Sequence, residues 1–407
     1  MRILFCCEFY APSFGGVQKV IQEIAEHLVR KGHSATVATT KVKGRNFDEL
    51  NGVRVKEFEV SGNLVCGLEG DIEHYKKFVV SEQFDAIVIK AAQQWTFDCL
   101  WPVLSQITCR KIHIPCGYSR LHEPAYQGYY QQMPDVLRQF DWLIFYATTY
   151  RDIDLVKSHG ITNYSVIPNG ASEFEFAEPP RFDFRKKYGI REGDFVFLTV
   201  GHPRFQKGQL EVIQAYERVK LSTPSVLILN DRPNPDRFSK SMTFPDKIRR
   251  FPRAFMNRHR YPLRDFRRAL RNIRRQDGKE VLVTNLERQE VVSAFFSSDL
   301  FVFASHVEYS PLVLFESAAA GLPFLSVPVG NAGEIAAWTQ GGEICPAECD
   351  ERGNVRVEPK VLAQKMEDLA SDTNHLRYLG EKGRVNWKDK YSWGKIAAAY
   401  ERVLMGS

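Results

Sequence analysis

The chain has 407 residues, 44% of them apolar and 26% charged, with a formal net charge of +6. That length suits two domains, each able to bury a core, and the composition is that of a soluble globular protein. It excludes a membrane-spanning chain, because no apolar run reaches the roughly 18 residues a span needs.

In chain order, the start Met1-Arg-Ile-Leu-Phe-Cys-Cys-Glu8 turns acidic too soon for a signal peptide and reads as a buried strand. A loop with Gly15 and Gly16 follows. Val17, Val20, Ile21, Ile24, Ala25 and Leu28 then recur with helical period, Lys31-Gly32 closes the helix, and Ser34–Thr39 is the next strand. Strand, glycine loop, helix and strand form a first βαβ unit. Glycines at a helix start let an anion approach the backbone, and a plain tight turn is the competing reading.

Strands follow near Val53–Val60 and Ala86–Ile89, then an aromatic segment from Trp95 to Trp101. Lys111–Gly117 runs from strand to loop and holds His113 and Cys116. Asp141–Tyr146 is another strand, and Tyr164–Gly170 a strand and turn. After a polar linker from Ser172 to about Gly193, the apolar strand Phe195–Val200 opens a second sheet. It enters Gly201-His202-Pro-Arg204-Phe-Gln-Lys207-Gly208 and a helix over Leu210–Val219. Cations at the C-terminal end of a parallel strand are placed to meet a diphosphate, and solvated loop cations are the alternative.

Ser225–Leu229 is the next strand. Residues from Asn230 to about Lys279 are rich in proline and dense in arginine and lysine, with Phe244, Phe251, Phe255, Tyr261 and Phe266 interleaved. Three readings compete: a solvated insertion, a dock for an anionic lipid surface or lipid-diphosphate acceptor, and a nucleic-acid surface. No nucleic-acid module is recognisable elsewhere. Glu280–Thr284 returns to strand and Gln289–Phe296 to helix.

The apolar run Leu300–Ala304 reads as a buried strand. Ser310 is an N-cap candidate, Pro311 a first helical residue, Leu312 the next, and Gly321 a C-terminal stop before Pro323. Glu308 therefore falls in the loop and Glu316 in the helix. A helix start suits a phosphate, and flanking carboxylates accept from sugar hydroxyls. Two solvated surface glutamates are the plainer reading. Phe324–Val327 is strand, Asn331–Glu334 has capping-box form, and the tail from Tyr391 to Tyr400 is amphipathic. The cysteines at 6, 7, 66, 99, 109, 116, 345 and 349 show no metal spacing and suit reduced thiols in the cytoplasm.

Glu308-x7-Glu316, closing in Glu-Ser-Ala-Ala-Ala-Gly-Leu-Pro, resembles the signature of retaining glycosyltransferases of family 4, which have the GT-B fold. The resemblance implies two doubly wound α/β domains facing a cleft, residues 1–171 with a returning helix 388–407, and 172–387 with a basic insert at about 231–279. It implies transfer of a sugar from a nucleoside diphosphate sugar to a hydroxyl of a glycan or lipid-linked acceptor. Glu308 would contact the donor sugar, Glu316 the nucleotide ribose, and Gly15 and Gly16 the diphosphate and acceptor. Ser310, Pro311 and Leu312 would form the helix start at the phosphates.

The family's lysine matches Lys207, whereas His202 stands at its arginine position, with Arg204 two residues on. Its loop histidine is replaced by Cys116, with His113 three residues earlier and read in preference as an ordinary core histidine. No metal or other cofactor is expected, and the protein is expected in the cytoplasm or on the inner membrane face. A GT-B epimerase or phosphorylase is one rival, and a non-catalytic partner, hinted at by His202, another. A dinucleotide dehydrogenase is disfavoured by the absence of Gly-x-Gly-x-x-Gly after the first strand.

Overall fold

The computed structural model describes residues 1–13, 15–180, 182–201, 205–230 and 263–406. Two compact units result: Met1–Gly170 with Asp389–Ser407, and Ala171–Lys388. The sequence division lies one residue away at each junction.

In the first unit the strands are β1 (Arg2–Cys6), β2 (Ser34–Thr40), β3 (Glu49–Leu50), β4 (Val53–Phe58), β5 (Val60–Asn63), β6 (Gly67–Gly70), β7 (Ala86–Lys90), β8 (Arg110–Ile114), β9 (Trp142–Phe145) and β10 (Tyr164–Val166). The main sheet runs β10-β9-β8-β7-β1-β2-β4-β3. It is parallel except for the short β3–β4 pair. The expected strand Val53–Val60 divides, because Val60 turns away to pair with Gly70 in the β5–β6 hairpin. Central strands β1 and β7 are buried on both faces, which explains their near-continuous apolar sequence. The helix Gly16–Arg30 buries Val20, Ile21, Ile24, Ala25 and Leu28. The C-terminal helix Trp393–Met405 packs beside it. Lys31 and His33 both donate to Glu401, and Arg110 Nε donates to the Val403 carbonyl at 2.8 Å.

The second unit carries β11 (Phe195–Val200), β12 (Ser225–Asn230), β13 (Lys279–Thr284), β14 (Leu300–Phe303), β15 (Phe324–Ser326) and β16 (Gly342–Ile344) in the order β13-β12-β11-β14-β15-β16, all parallel. This is the 3-2-1-4-5-6 order of the dinucleotide-binding fold, whose direction reverses between β11 and β14.

The last part of the expected basic insert is an ordinary crossover between β12 and β13. The helix Leu263–Ile273 buries Ala269 and Ile273 and lies against the helix Gln209–Arg218. Asn272 Nδ2 donates to Glu217 Oε1 at 2.8 Å. Arg264, Arg267, Arg268, Arg271, Arg274 and Arg275 remain exposed on its outer side. Residues 231–262, with most of the interleaved aromatics, lie outside the described residues.

Candidate functional site

The loops at the β11–β14 switch point hold Lys207 and Glu308. β11 and β14 pair at Phe197↔Leu300 and Leu198↔Phe301, and their chains then separate. The β11 loop ends in a 3₁₀ turn, Phe205–Lys207, and in Gly208, which is left-handed at φ 68° and caps the helix Gln209–Arg218. A Cβ on Gly208 would stand 1.7 Å from the Ala304 carbonyl oxygen, so the two loops touch through backbone there. His306 N donates to the Gln206 carbonyl at 2.7 Å, and Ser305 Oγ lies 3.1 Å from the same oxygen. His306 Nε2 meets the buried Glu211 Oε1 at 2.8 Å. A carboxylate only accepts, so Nε2 carries the proton.

That stitching sets Lys207 Nζ 2.5 Å from Glu308 Oε1, which also accepts from Ser305 Oγ at 2.8 Å. The side chains are 28% and 16% exposed, so the pair is partly desolvated. Behind Glu308 the chain is held by Gly330, at φ 56°, where a Cβ would meet the Tyr309 carbonyl oxygen at 2.3 Å.

The next helix starts later than expected. It spans Leu312–Ala320 with Pro311 as N-cap and no side-chain cap, so Ser310 does not cap it. Pro311 sits at ψ 114°, extended rather than helical, which leaves Leu312 as the first helical residue. Gly321 ends the helix at φ 72° as expected. Asn331 is the N-cap of Ala332–Thr339 but its side chain makes no cap bond, so the expected capping box does not close there. One closes instead between Glu287 and Glu290, at the start of Arg288–Ser297.

Glu316 lies one turn into its helix and is 9% exposed. Its Oε1 accepts from Arg288 Nη2 at 2.6 Å, and Arg288 also forks onto Glu175 at 2.6 and 3.1 Å. Sequence reasoning missed this triad. Arg288 starts a helix 28 residues upstream, and nothing local points from one to the other. His202 and Arg204 lie outside the described residues.

The first unit has its own switch point, between β1 and β7. Gly15 is an extended N-cap and Gly16 the first residue of a helix with no side-chain cap and no acid in its first turn. In the same unit, burial and Asp98 push the Glu8 carboxyl up to about 7. Burial pushes Asp98 up to about 6, although Tyr129 donates to it at 2.6 Å and Leu64 N at 2.9 Å. Sequence reasoning used Glu8 only as an argument against a signal peptide and singled out neither carboxyl as a site residue. Ala91, Gln93, Cys116 and Tyr118 all have positive φ, a clustering of strained backbone after β7 and β8. His113 is a core residue. It is fully buried, stacks on Phe97 at 4.1 Å between centroids, and donates from Nδ1 to the Ile89 carbonyl at 2.9 Å. Burial drives its pKa down to about 3.

Residues 276–386 match the family model "Glycosyl transferases group 1". An uncharacterised glycosyltransferase of Methanocaldococcus jannaschii is 20% identical over 98% of this chain and 96% of its own length. Sucrose-phosphate synthase from Thermosynechococcus elongatus superposes with a TM-score of 0.72 at 16% identity, all of each chain being covered. Anabaena HepE, solved with UDP, superposes at 0.71 and 14% identity, again over all of both chains. The fold is thus the GT-B architecture of two Rossmann-like domains, and residues 276–386 carry the pattern of group 1 glycosyl transferases.

Proposed function

We propose that the chain transfers a sugar from a nucleoside diphosphate sugar to a hydroxyl of a glycan or lipid-linked acceptor, with retention at the anomeric carbon. The observation that carries this reading is the Lys207–Glu308 pair at the switch point of the second unit, beside two helices without side-chain caps. Switch points of parallel sheets are where such folds bind nucleotides, and uncapped helix starts accept phosphate. Lys207 and Arg204 take the diphosphate, with His202 as the other candidate for a phosphate contact, and the helix that starts at Leu312, just after Ser310 and Pro311, adds its dipole. Glu308 meets the transferred sugar. Glu316 has Oε1 engaged by Arg288, which leaves Oε2 for the ribose hydroxyls. Gly15 and Gly16 would admit an anionic group of the substrates at the uncapped helix start of the first unit. These cations do the work a metal would otherwise do, and the protein mainly positions the reactants and stabilises the leaving charge.

The exposed arginines of Leu263–Ile273 and of the two residues after it support a reversible contact with an anionic cytoplasmic membrane surface. Each basic residue near such a surface contributes about 1 kcal/mol.

The test is a panel of nucleoside diphosphate sugars scored by the rise in melting temperature, which a bound ligand produces. Turnover with the best donor and the anomeric configuration of the product follow. UDP-sugars belong in the panel because the Anabaena neighbour was solved with UDP. No shift with any donor, or an inverted product, overturns the proposal.

A further inference from the structure

Beside Lys207 lies a polar side chain with no partner. Gln209, the first residue of the helix Gln209–Arg218, is 1% exposed, and neither its Nε2 nor its Oε1 has a hydrogen-bond partner. Burying both halves of an amide unpaired costs stability that a methionine or leucine of similar size would not. Its place is defined by Gly201, where β11 ends. A Cβ built there would lie 3.4 Å from Gln209 Nε2 and 3.5 Å from Lys207 Cβ. The amide and the stem of the lysine therefore share one backbone face at the switch point. The helix they introduce has ten residues and takes no side-chain cap from Gly208.

We propose that Gln209 is a donor-substrate ligand, its Nε2 donating to a diphosphate oxygen and its Oε1 accepting from a hydroxyl of the transferred sugar. This rests on the nucleotide-sugar reading above. Phosphate oxygens only accept, so a bare diphosphate satisfies half of the amide. A nucleotide sugar carries the second half on the group next to its phosphates. Because the residue is buried, contact requires the side chain to turn out from Gly201. That movement sacrifices no hydrogen bond, since the amide has none to lose. Nearby Glu211 is engaged by His306 through Oε1, and Glu308 by Lys207. That leaves Gln209 as a neutral donor within an otherwise charged set, suited to a ligand whose charge Lys207 already meets.

The experiment compares wild type, Gln209→Met and Lys207→Ala. The probe is whichever of UDP, GDP and ADP raises the wild-type melting temperature most, together with its glucose ester. Gln209→Met should melt no lower than wild type without ligand. Its dissociation constant should rise about tenfold for the nucleotide sugar and about threefold for the free diphosphate. Unchanged affinity for both probes in Gln209→Met, with Lys207→Ala impaired, overturns this inference and leaves the nucleotide-sugar reading standing. If wild type binds none of these probes and no other nucleoside diphosphate sugar of the panel, both fall. Should Gln209→Met fail to fold, Gln209→Ala is measured against the same expectation.

Discussion

Replacing Glu308 with glutamine separates the chemistry of this carboxylate from its electrostatics. Glu308 holds Lys207 at 2.5 Å and accepts from Ser305 at 2.8 Å, and its side chain is only 16% exposed. A phosphate arriving at Lys207 therefore meets a carboxylate on the same ammonium. At a separation of about 8 Å and an effective dielectric of about 20, that repulsion is about 2 kcal/mol. Salt, with a screening length of about 8 Å, reduces it to about 1 kcal/mol, or about fivefold in affinity. Glutamine keeps an oxygen for Ser305 and removes the charge. The expected outcome of calorimetry is a nucleoside diphosphate dissociation constant equal to that of wild type or up to about fivefold tighter. Turnover, followed by release of the diphosphate, should fall at least about a hundredfold if the carboxylate meets the sugar as the reaction proceeds. Wild-type turnover would remove Glu308 from the site. A tenfold loss of diphosphate affinity would show that Glu308 supports the phosphate site, contrary to this reasoning.

Glu316→Ala should weaken nucleotide binding by about 1–3 kcal/mol, the range for a bond to a charged group, and unchanged calorimetry would refute the ribose assignment. Lys207→Ala should be the most damaging change in its loop, with Arg204→Ala next, and greater damage from His202→Ala would reverse the assignment of the phosphate contacts. For His113 the folded pKa is depressed to about 3, so the unfolded chain binds the extra proton and stability falls with pH below about 6.5. The loss from pH 7 to pH 5 is about 2 kcal/mol for that residue. His113→Gln should flatten this limb in denaturant titrations, and an unchanged slope would contradict a neutral core histidine. Replacing Arg267, Arg268, Arg271, Arg274 and Arg275 with glutamine should abolish co-sedimentation with anionic liposomes at low salt while leaving nucleotide binding intact, and equal sedimentation with neutral vesicles would dismiss the membrane contact.

Much of the second unit was legible because its strands are buried on both faces and hence apolar throughout. Leu300–Phe303 and Phe195–Val200 were identifiable for that reason, and their ends located Glu308 and Lys207. Their direct contact was not legible, since it depends on Gly208 packing against the Ala304 carbonyl. Ser310 failed as a cap because Pro311 adopts an extended ψ, a backbone choice that the Ser-Pro pair does not reveal. The arginine density after Tyr261 hid a helical period of Ala269 and Ile273, so a crossover helix was taken for part of an insertion. Gln209 is polar at a buried position, where sequence patterning looks for apolar residues.

The chain visits the first unit twice, and this orders its synthesis. The helix Trp393–Met405 supplies Trp393, Ile396, Ala397, Tyr400, Val403 and Leu404 to that unit's interior. While the ribosome is still translating, residues 1–170 must wait with the matching groove uncovered, and residues 171–388 emerge and can close their own sheet first. The earlier half is thus the last to be completed. A nascent chain stalled before residue 393 would present an unfinished apolar surface to chaperones and proteases, whereas residues 171–388 form one uninterrupted stretch that lends itself to expression alone.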